Sequence, residues 1–267
     1  MDKASWGGVV LGLGGIVGGL LLEGGSISQV VQPTAAMIVF GGTVGAVLLQ
    51  FPLPVVLSAA GRLVHVFFQP DINPEGRVRE LVEYAKRARR EGIVSLDAEL
   101  DLIQDPFLQK SLMLAVDGTE PQELRKLMEL DLDNRAEYEE KIPQVFESAG
   151  GFSPTIGIIG AVLGLIQVMQ HLDKIDEVGK GIAVAFVATI YGVGAANLFL
   201  LPVAGKLRIR IREEQVLREM TLEGVVSILE GMNPRMLETK LLGYLGEDKP
   251  EPAPKAAVPK ATVDVVK

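Results

Sequence analysis

The stretch FSPTIGIIGAVLGLIQVM (residues 152–169) decides the fold, because it contains no charged side chain and no histidine. A helix needs about 20 apolar residues to cross a bilayer, so this stretch predicts a transmembrane helix. It also begins close to Pro154 and has glycines at 157, 160 and 164. These features raise two questions: what would carry an ion along such a helix, and why it has so few bulky side chains.

Apolar and charged residues are segregated along the chain. Of all residues 48% are apolar and 22% are charged, and the charged ones concentrate in 71–147 and 206–251. Four runs without a charged side chain have the length of a membrane span, namely 6–22, 34–57, 151–169 and 182–204. The sequence therefore predicts an all-α, polytopic membrane protein with four transmembrane helices and a helical cytoplasmic domain.

Composition also excludes several kinds of function. The chain has no cysteine, two widely separated histidines and a net charge of −8. These features leave no disulfide framework or metal-ligand spacing and argue against a nucleic-acid partner. We find no nucleophile–base constellation and no phosphate-binding loop, so we expect neither an enzyme nor a cofactor.

The positions of lysine and arginine orient the spans, since these residues favour the cytoplasmic side. Lys3 precedes the first span, Arg62 follows the second and Lys206 follows the fourth, whereas residues 23–33 contain neither lysine nor arginine. Both termini should therefore be cytoplasmic. The predicted order is spans 1 and 2 in 1–61, a cytoplasmic helical domain in 62–149, spans 3 and 4 in 150–205, cytoplasmic helices in 206–246 and a disordered tail in 247–267.

The middle segment is predicted to be helical. Ser95 is expected to cap a helix in which Asp97 lies in the first turn. A preceding helix should bury one stripe of apolar residues spaced three or four apart, formed by Val78, Leu81, Val82 and Ala85.

Small residues recur at helical spacing within the spans. They lie at 8, 12, 15 and 19 in span 1, at 157, 160 and 164 in span 3, and at 185, 188, 192 and 195 in span 4. Such stripes let helices approach closely in lipid. Two interpretations stay open: packing within one chain, or a smooth face offered to sister subunits or a partner.

Spans 3 and 4 contain few polar side chains, and none of them exchanges a proton near neutral pH. They include Thr155, Thr189, Tyr191 and Asn197, and a hydroxyl in a membrane helix can simply bond to its own backbone. A proton relay through lipid needs a carboxylate or a histidine. If ions cross here, the titrating carboxylate must come from another polypeptide.

Two prolines interrupt the pattern of the spans. Pro154 is expected at the start of span 3, where its missing N–H costs little. Pro202 is expected inside the helix that continues from span 4, where it should create a kink or hinge.

Four segments together resemble the MotA/PomA family, the ring-forming subunit of the bacterial flagellar stator. They are RARREGIVSLDAEL (87–100), SPTIGIIGAVLGLI (153–166), AVAFVATIYGVGAANLFLLPVAGKL (183–207) and ILEGMNPRMLETKLLGYL (228–245). The resemblance implies a pentamer in the inner membrane around a dimer of a single-span partner, MotB or PomB. That partner would supply the intramembrane carboxylate, and the ring would push on the rotor protein FliG.

The resemblance also implies roles for particular residues. Pro154 and Pro202 match the prolines tied to conformational coupling. Arg89 and Asp97 match the charged pair that engages the rotor, with Asp97 replacing the commoner glutamate; alternatively, both are ordinary solvated charges.

Thr155, Ala161 and Thr189 are the candidate residues of the ion pathway. Sodium-driven members resemble this chain at Thr189 but carry a second threonine where this sequence has Ala161. The path therefore offers one oxygen fewer to a hard cation, which favours protons.

Two alternatives remain. The ExbB/TolQ energisers resemble this chain in their small-residue spans, but they have one span before the cytoplasmic domain where two are predicted here. A non-conducting membrane scaffold would need nothing more than packed helices.

Overall fold

The structure is a computed structural model that describes residues 2–68 and 73–245, without the side chains of Ile175 and Asp176. Every regular element in this part of the chain is helical, which confirms the all-α prediction. The tail predicted over 247–267 lies outside the described residues.

Nine α-helices are present in the described ranges. They are α1 (Lys3–Leu22), α2 (Pro33–Gln50), α3 (Leu53–Phe67), α4 (Pro74–Glu91), α5 (Pro106–Val116), α6 (Pro121–Gln170), α7 (Ile175–Ala195), α8 (Leu201–Leu229) and α9 (Pro234–Leu242). Short 3₁₀ segments occur at Ile27–Val30, Ile93–Leu102 and Gly243–Leu245. Two π-helical turns lie at Met37–Gly41, within α2, and at Ala196–Leu200, where α7 runs into α8.

Four helical segments are long and apolar enough to cross a membrane, which confirms the predicted number. They are α1, α2, α6 and the continuous α7–α8 segment. The second span is shorter than the predicted 34–57: α2 ends at Gln50, Phe51 is extended, and Pro52 precedes a separate helix. A residue before proline is pushed away from helical geometry, and a run defined by missing charges does not register that break.

The prediction that Pro154 begins a helix is wrong. Helix α6 starts at Pro121, and both Pro143 and Pro154 lie inside it. Lack of charge marks where the chain becomes apolar, whereas the helix itself begins earlier, in charged sequence.

Ser95 is not a helix N-cap either. It lies inside the 3₁₀ segment Ile93–Leu102, and its hydroxyl donates back to the Gly92 carbonyl at 2.7 Å. Gly92, with φ of +84°, ends α4 in a conformation that favours glycine.

The chain forms two compact units. Unit 1 comprises 1–72 and 125–219. One of its apolar clusters joins the end of α2 to α3, the middle of α6 and the start of α8, with Val47, Ala59, Phe146, Val203 and Leu207 among its buried members. A second, smaller cluster packs α2 against α7 through Val39 and Ala188.

Unit 2 comprises 73–124 and 220–267, of which the structure describes residues up to 245. The stripe predicted in α4 is confirmed, because Val78, Leu81, Val82 and Ala85 are all buried. Helix α8 lies close to this stripe: a Cβ added at Gly224 would meet Leu81 Cδ1 at 2.7 Å. Lys240 of α9 forms an ion pair with Glu223 of α8.

Candidate functional site

The small residues of α6 and α7 pack against each other. A Cβ added at Gly157 would lie 2.9 Å from the Ala188 carbonyl oxygen, and one at Gly164 would lie 2.8 Å from that of Gly181. A Cβ at Gly192 would lie only 2.5 Å from the Ser153 carbonyl oxygen. The stripe therefore serves packing within the chain, which was the first of the two interpretations.

Bulky apolar side chains cover the other faces of these two helices. On the apolar part of α6 the exposed residues are Ile158, Ile159, Val162, Leu163, Leu165, Ile166 and Met169. On α7 they are Ile182, Phe186, Ile190 and Val193. These faces lie against lipid or other helices in a membrane, where apolar side chains cost nothing.

Thr189 and Thr155 satisfy their hydroxyl donors locally. The Thr189 hydroxyl donates to the Ala185 carbonyl at 3.2 Å, and the Thr155 hydroxyl donates to the Phe152 carbonyl at 2.8 Å. A threonine oxygen that donates in this way still has acceptor lone pairs. Each can therefore contact a cation or accept a hydrogen bond from an acid, but neither can relay a proton alone.

Ala161 and Thr189 lie at the same level of the α6–α7 pair. They follow Gly160 and Ala188, which are in contact: a Cβ at Gly160 would lie 2.8 Å from Ala188 Cβ. Both residues are half-buried. Thr155 lies nearly two turns before Ala161 on the same helix, so the structure brings together two of the three pathway candidates.

Tyr191 and Asn197 have structural partners. The Tyr191 hydroxyl donates to the Val30 carbonyl at 2.5 Å and accepts from the backbone N–H of Gln32 at 3.2 Å. It thus holds the connection between α1 and α2 to α7. The Asn197 amide donates to the Val193 carbonyl at 2.9 Å.

The two prolines occupy different surroundings. A Cβ at Gly192 would lie 3.2 Å from Pro154 Cα, so α7 packs directly on the Pro154 turn. Pro202 is exposed and lies two residues after the π-helical turn Ala196–Leu200. A π-turn and a proline in succession both disturb the helical ladder, and such irregularities are frequent at functional sites.

Two buried hydroxyls in the spans were missed by the sequence analysis. Thr43 donates to the Val39 carbonyl at 2.6 Å, across the π-helical turn of α2. The Ser153 hydroxyl is buried and has no partner among the described residues. Both border an apolar cavity of about 340 Å³ within unit 1. The sequence analysis singled out Thr155, Thr189, Tyr191 and Asn197 among the intramembrane polar residues and named neither Thr43 nor Ser153.

Arg89 and Asp97 are exposed in unit 2 and form no ion pair within the described ranges 2–68 and 73–245. Their neighbours behave differently, because Arg87 pairs with Glu99, and Lys86 lies 2.7 Å from Glu83. Arg87 and Glu99 thus hold α4 to the following 3₁₀ segment, while Arg89 and Asp97 remain available to a partner.

An ion-paired pocket lies nearby in unit 2. Arg77 bridges Asp105 and Glu80, and the Tyr84 hydroxyl donates to Glu80 at 3.1 Å. Burial and the Glu80 carboxylate raise the pKa of Tyr84 to about 12, so it stays a neutral donor. No group of three or more metal-ligating side chains occurs in the described part of the chain.

Comparison with known proteins places these features in a family. Residues 6–92 match the family model "Motility protein A N-terminal", and residues 99–220 match that of the "MotA/TolQ/ExbB proton channel family". Motility protein A of Bacillus subtilis is 36% identical over 249 residues, which are 92% of this chain and 91% of that protein.

Two solved structures are similar along nearly their whole length. C. jejuni MotAB matches with a TM-score of 0.87 at 31% identity, covering 94% of this chain and 98% of the other. The flagellar MotAB stator complex from Bacillus subtilis matches with a TM-score of 0.82 at 36% identity, covering 91% and 96%.

Proposed function

Since this chain belongs to the motility protein A family, within the MotA/TolQ/ExbB proton channels, we propose that it turns the flagellar rotor by coupling proton flow to its own movement. It is a torque-generating subunit of the flagellar stator. The match to the motility protein A N-terminal model includes α1 and α2, and these two spans before unit 2 distinguish it from the ExbB/TolQ arrangement.

One observation carries the mechanism. The apolar parts of α6 and α7, residues 151–169 and 182–195, which we call the α6–α7 wall, contain no side chain that titrates near neutral pH. Thr155 and Thr189 donate to their own helices, and a proton path through lipid needs a carboxylate or a histidine. A single-span partner of the MotB or PomB type therefore supplies the intramembrane aspartate. The solved relatives are MotAB complexes, which supports this assignment.

The assembly is a ring of five chains around a partner dimer in the bacterial inner membrane, with both termini cytoplasmic. Helix α1 has no buried residue, and the outer faces of α6 and α7 are apolar. Lipid, sister subunits and the partner's helices are the surroundings that suit such faces.

The coupling ion is the proton. Thr189 offers one oxygen at its level of the wall, and Ala161 at the same level offers none. A dehydrated sodium ion prefers several oxygen ligands, as hard cations do, whereas a carboxyl group that gains and loses a proton needs only one acceptor.

Arg89 and Asp97 contact FliG. Both are exposed and form no ion pair in the described residues of unit 2, and they lie beside the Arg87–Glu99 pair that the unit uses for its own structure. Opposite charges on the rotor would attract these two side chains and fix the position at which the stator and rotor meet.

Complementation tests the function and the ion together. The chain is expressed with its partner in cells that lack their own stator subunits, and swimming speed is followed in media with and without sodium. We expect swimming to persist without sodium and to stop when the proton gradient is collapsed. Speed that follows external sodium at constant pH would refute the proton assignment, and absence of swimming under all conditions would refute the function.

A further inference from the structure

Asp2 connects α1 to α3 within unit 1. Its carboxylate caps α1 by accepting hydrogen bonds from the Ala4 amide at 3.0 Å and the Ser5 hydroxyl at 2.9 Å. Its own amide donates to the Phe67 carbonyl, at the end of α3, at 3.0 Å. Asp2 therefore links the two helix ends, next to the ring contact of Trp6 with Phe67 at 5.3 Å between centroids.

Two cations of α8 meet the same carboxylate. Lys206 forms an ion pair with Asp2 and also donates to the Ser5 hydroxyl at 2.9 Å. Arg210, one turn later, lies 3.5 Å from the Asp2 carboxylate and donates to the Val66 carbonyl at 3.4 Å. Asp2, Ser5, Lys206 and Arg210 form what we call the Asp2 cluster.

The Asp2 cluster is mostly shielded from solvent. The side chains of Asp2 and Arg210 are 13% and 9% exposed, and the second terminal nitrogen of Arg210 is buried without a partner in the described part of the chain. Attraction between charges is stronger away from water, and removing one partner leaves a buried charge uncompensated. The cluster therefore differs from a surface ion pair, which contributes little.

The cluster lies directly after the irregular part of α8. Lys206 and Arg210 follow Pro202 by one and two helical turns, and Pro202 itself follows the π-helical turn Ala196–Leu200. The part of α8 that follows Pro202 is thus linked to the start of α1 and the end of α3.

We propose that Asp2, Lys206 and Arg210 are positioning residues that clamp α8 below Pro202 to α1 and α3. Movement at Pro202 then carries these three helix ends as one body, and the clamp stays closed while the stator works. The inference rests on the proposed function and on the hinge that the sequence predicts at Pro202.

The substitution Asp2→Asn tests the clamp, because asparagine keeps a cap acceptor but leaves Lys206 and Arg210 without their counter-charge. The matched control is Glu23→Gln, at an exposed acidic residue directly after α1 that has no ion pair in the described residues. Stator units are added one at a time to motors without stators, and the rise in rotation speed per unit is recorded. We expect Asp2→Asn units to reach the motor and give smaller increments, while the control gives increments of full height.

A double variant separates positioning from folding. Adding Lys206→Met to Asp2→Asn removes one of the two facing cations, so we expect part of the lost increment height to return. If Asp2→Asn gives fewer speed increments but each has full height, the cluster only supports folding. If the double variant gives increments no higher than those of Asp2→Asn, the charge argument is refuted. Either result overturns the proposal.

Pro202→Leu distinguishes failure of the clamp from failure of the proposed function. Full increments in both Pro202→Leu and Asp2→Asn would refute the Pro202 joint and the clamp together. No increment in Pro202→Leu together with full increments in Asp2→Asn would refute the clamp alone.

Discussion

Gly192 sets how closely α7 approaches α6. Any side chain at this position would point at the Ser153 carbonyl oxygen from 2.5 Å and at Pro154 Cα from 3.2 Å. Both are backbone atoms of a packed helix, which cannot move as a flexible side chain can. The small residues of α6 and α7 are therefore steric requirements within one chain, whereas a Cβ at Gly8, Gly15 or Gly19 of α1 would meet nothing within 4 Å.

Gly192→Ala should destabilise the chain by about 1–3 kcal/mol, the usual cost of overpacking. Gly194→Ala is the matched control, because a Cβ there would meet nothing within 4 Å. Thermal unfolding of the purified complex and the level of protein in membranes measure the difference. Equal stability of the two variants would contradict the close α6–α7 contact.

Reversing the charge of Arg89 or Asp97 should reduce swimming without changing the level of the protein, because neither side chain forms an ion pair in the described part of the chain. Arg79→Glu is the control: it is exposed on the same helix, nearly three turns away. Swimming speed and membrane abundance are recorded together, and a matching charge reversal on the rotor should restore some motion. Equal loss of protein in the Arg89 and Asp97 variants would instead assign both residues to folding.

Some of the residues discussed above could be identified from the sequence and others could not. The resemblance named Arg89 and Asp97, and their exposure agrees with a role outside the fold. The roles of Ser153, Thr43 and Asp2 depend on contacts between distant segments, such as Asp2 with Lys206, which no local pattern contains. The partners of Tyr191 in the 27–33 connection were hidden for the same reason.

At the scale of the helix, α7 and α8 form one continuous segment whose backbone hydrogen bonding is irregular between Ala196 and Pro202. The π-helical turn Ala196–Leu200 precedes Pro202, whose ring removes a backbone donor. The segment before this point carries Thr189 in the α6–α7 wall, and the segment after it carries Lys206 and Arg210. A bend here would connect the segment that carries Thr189 to the part of α8 that carries Lys206 and Arg210.

Pro202→Leu restores the missing donor and should give assembled but immotile stators. Gly205→Ala is the control, since it favours helix by up to about 1 kcal/mol without adding a backbone bond, and a Cβ there meets nothing within 4 Å. Swimming is compared with the number of fluorescently labelled units at the motor. Normal swimming in Pro202→Leu would show that this position needs no flexibility.

Helix identity was predictable at this scale, but helix ends were not. The absence of charge identified four spans, and the three–four spacing identified the buried stripe of α4. Hydropathy did not detect that α2 ends at Gln50 or that α6 runs on from Pro121 through Pro154. Both misses have one cause: a bilayer responds to polarity, whereas a helix ends where the backbone bonding fails.

At the scale of the whole molecule, the chain resembles one component of a two-protein complex, because the solved relatives are MotAB complexes. It has threonine acceptor oxygens on α6 and α7, a π-helical turn followed by Pro202, and exposed charges on unit 2, but residues 151–169 and 182–195 contain no carboxylate or histidine. The question raised by residues 152–169 has a two-part answer. The glycines admit α7 of the same chain, and under the proposed function the ion is carried by a carboxylate of the partner.

The most direct test is motor rotation with and without the partner's intramembrane aspartate. Cells lacking their own stators receive the chain alone, the chain with its partner, or the chain with a partner whose aspartate is replaced by asparagine. Labelled units at the motor are counted in each case. We predict rotation only with the intact partner, although the asparagine variant assembles in equal numbers. Rotation driven by the chain alone, or with the neutralised partner, would contradict the claim that the titrating carboxylate comes from another polypeptide.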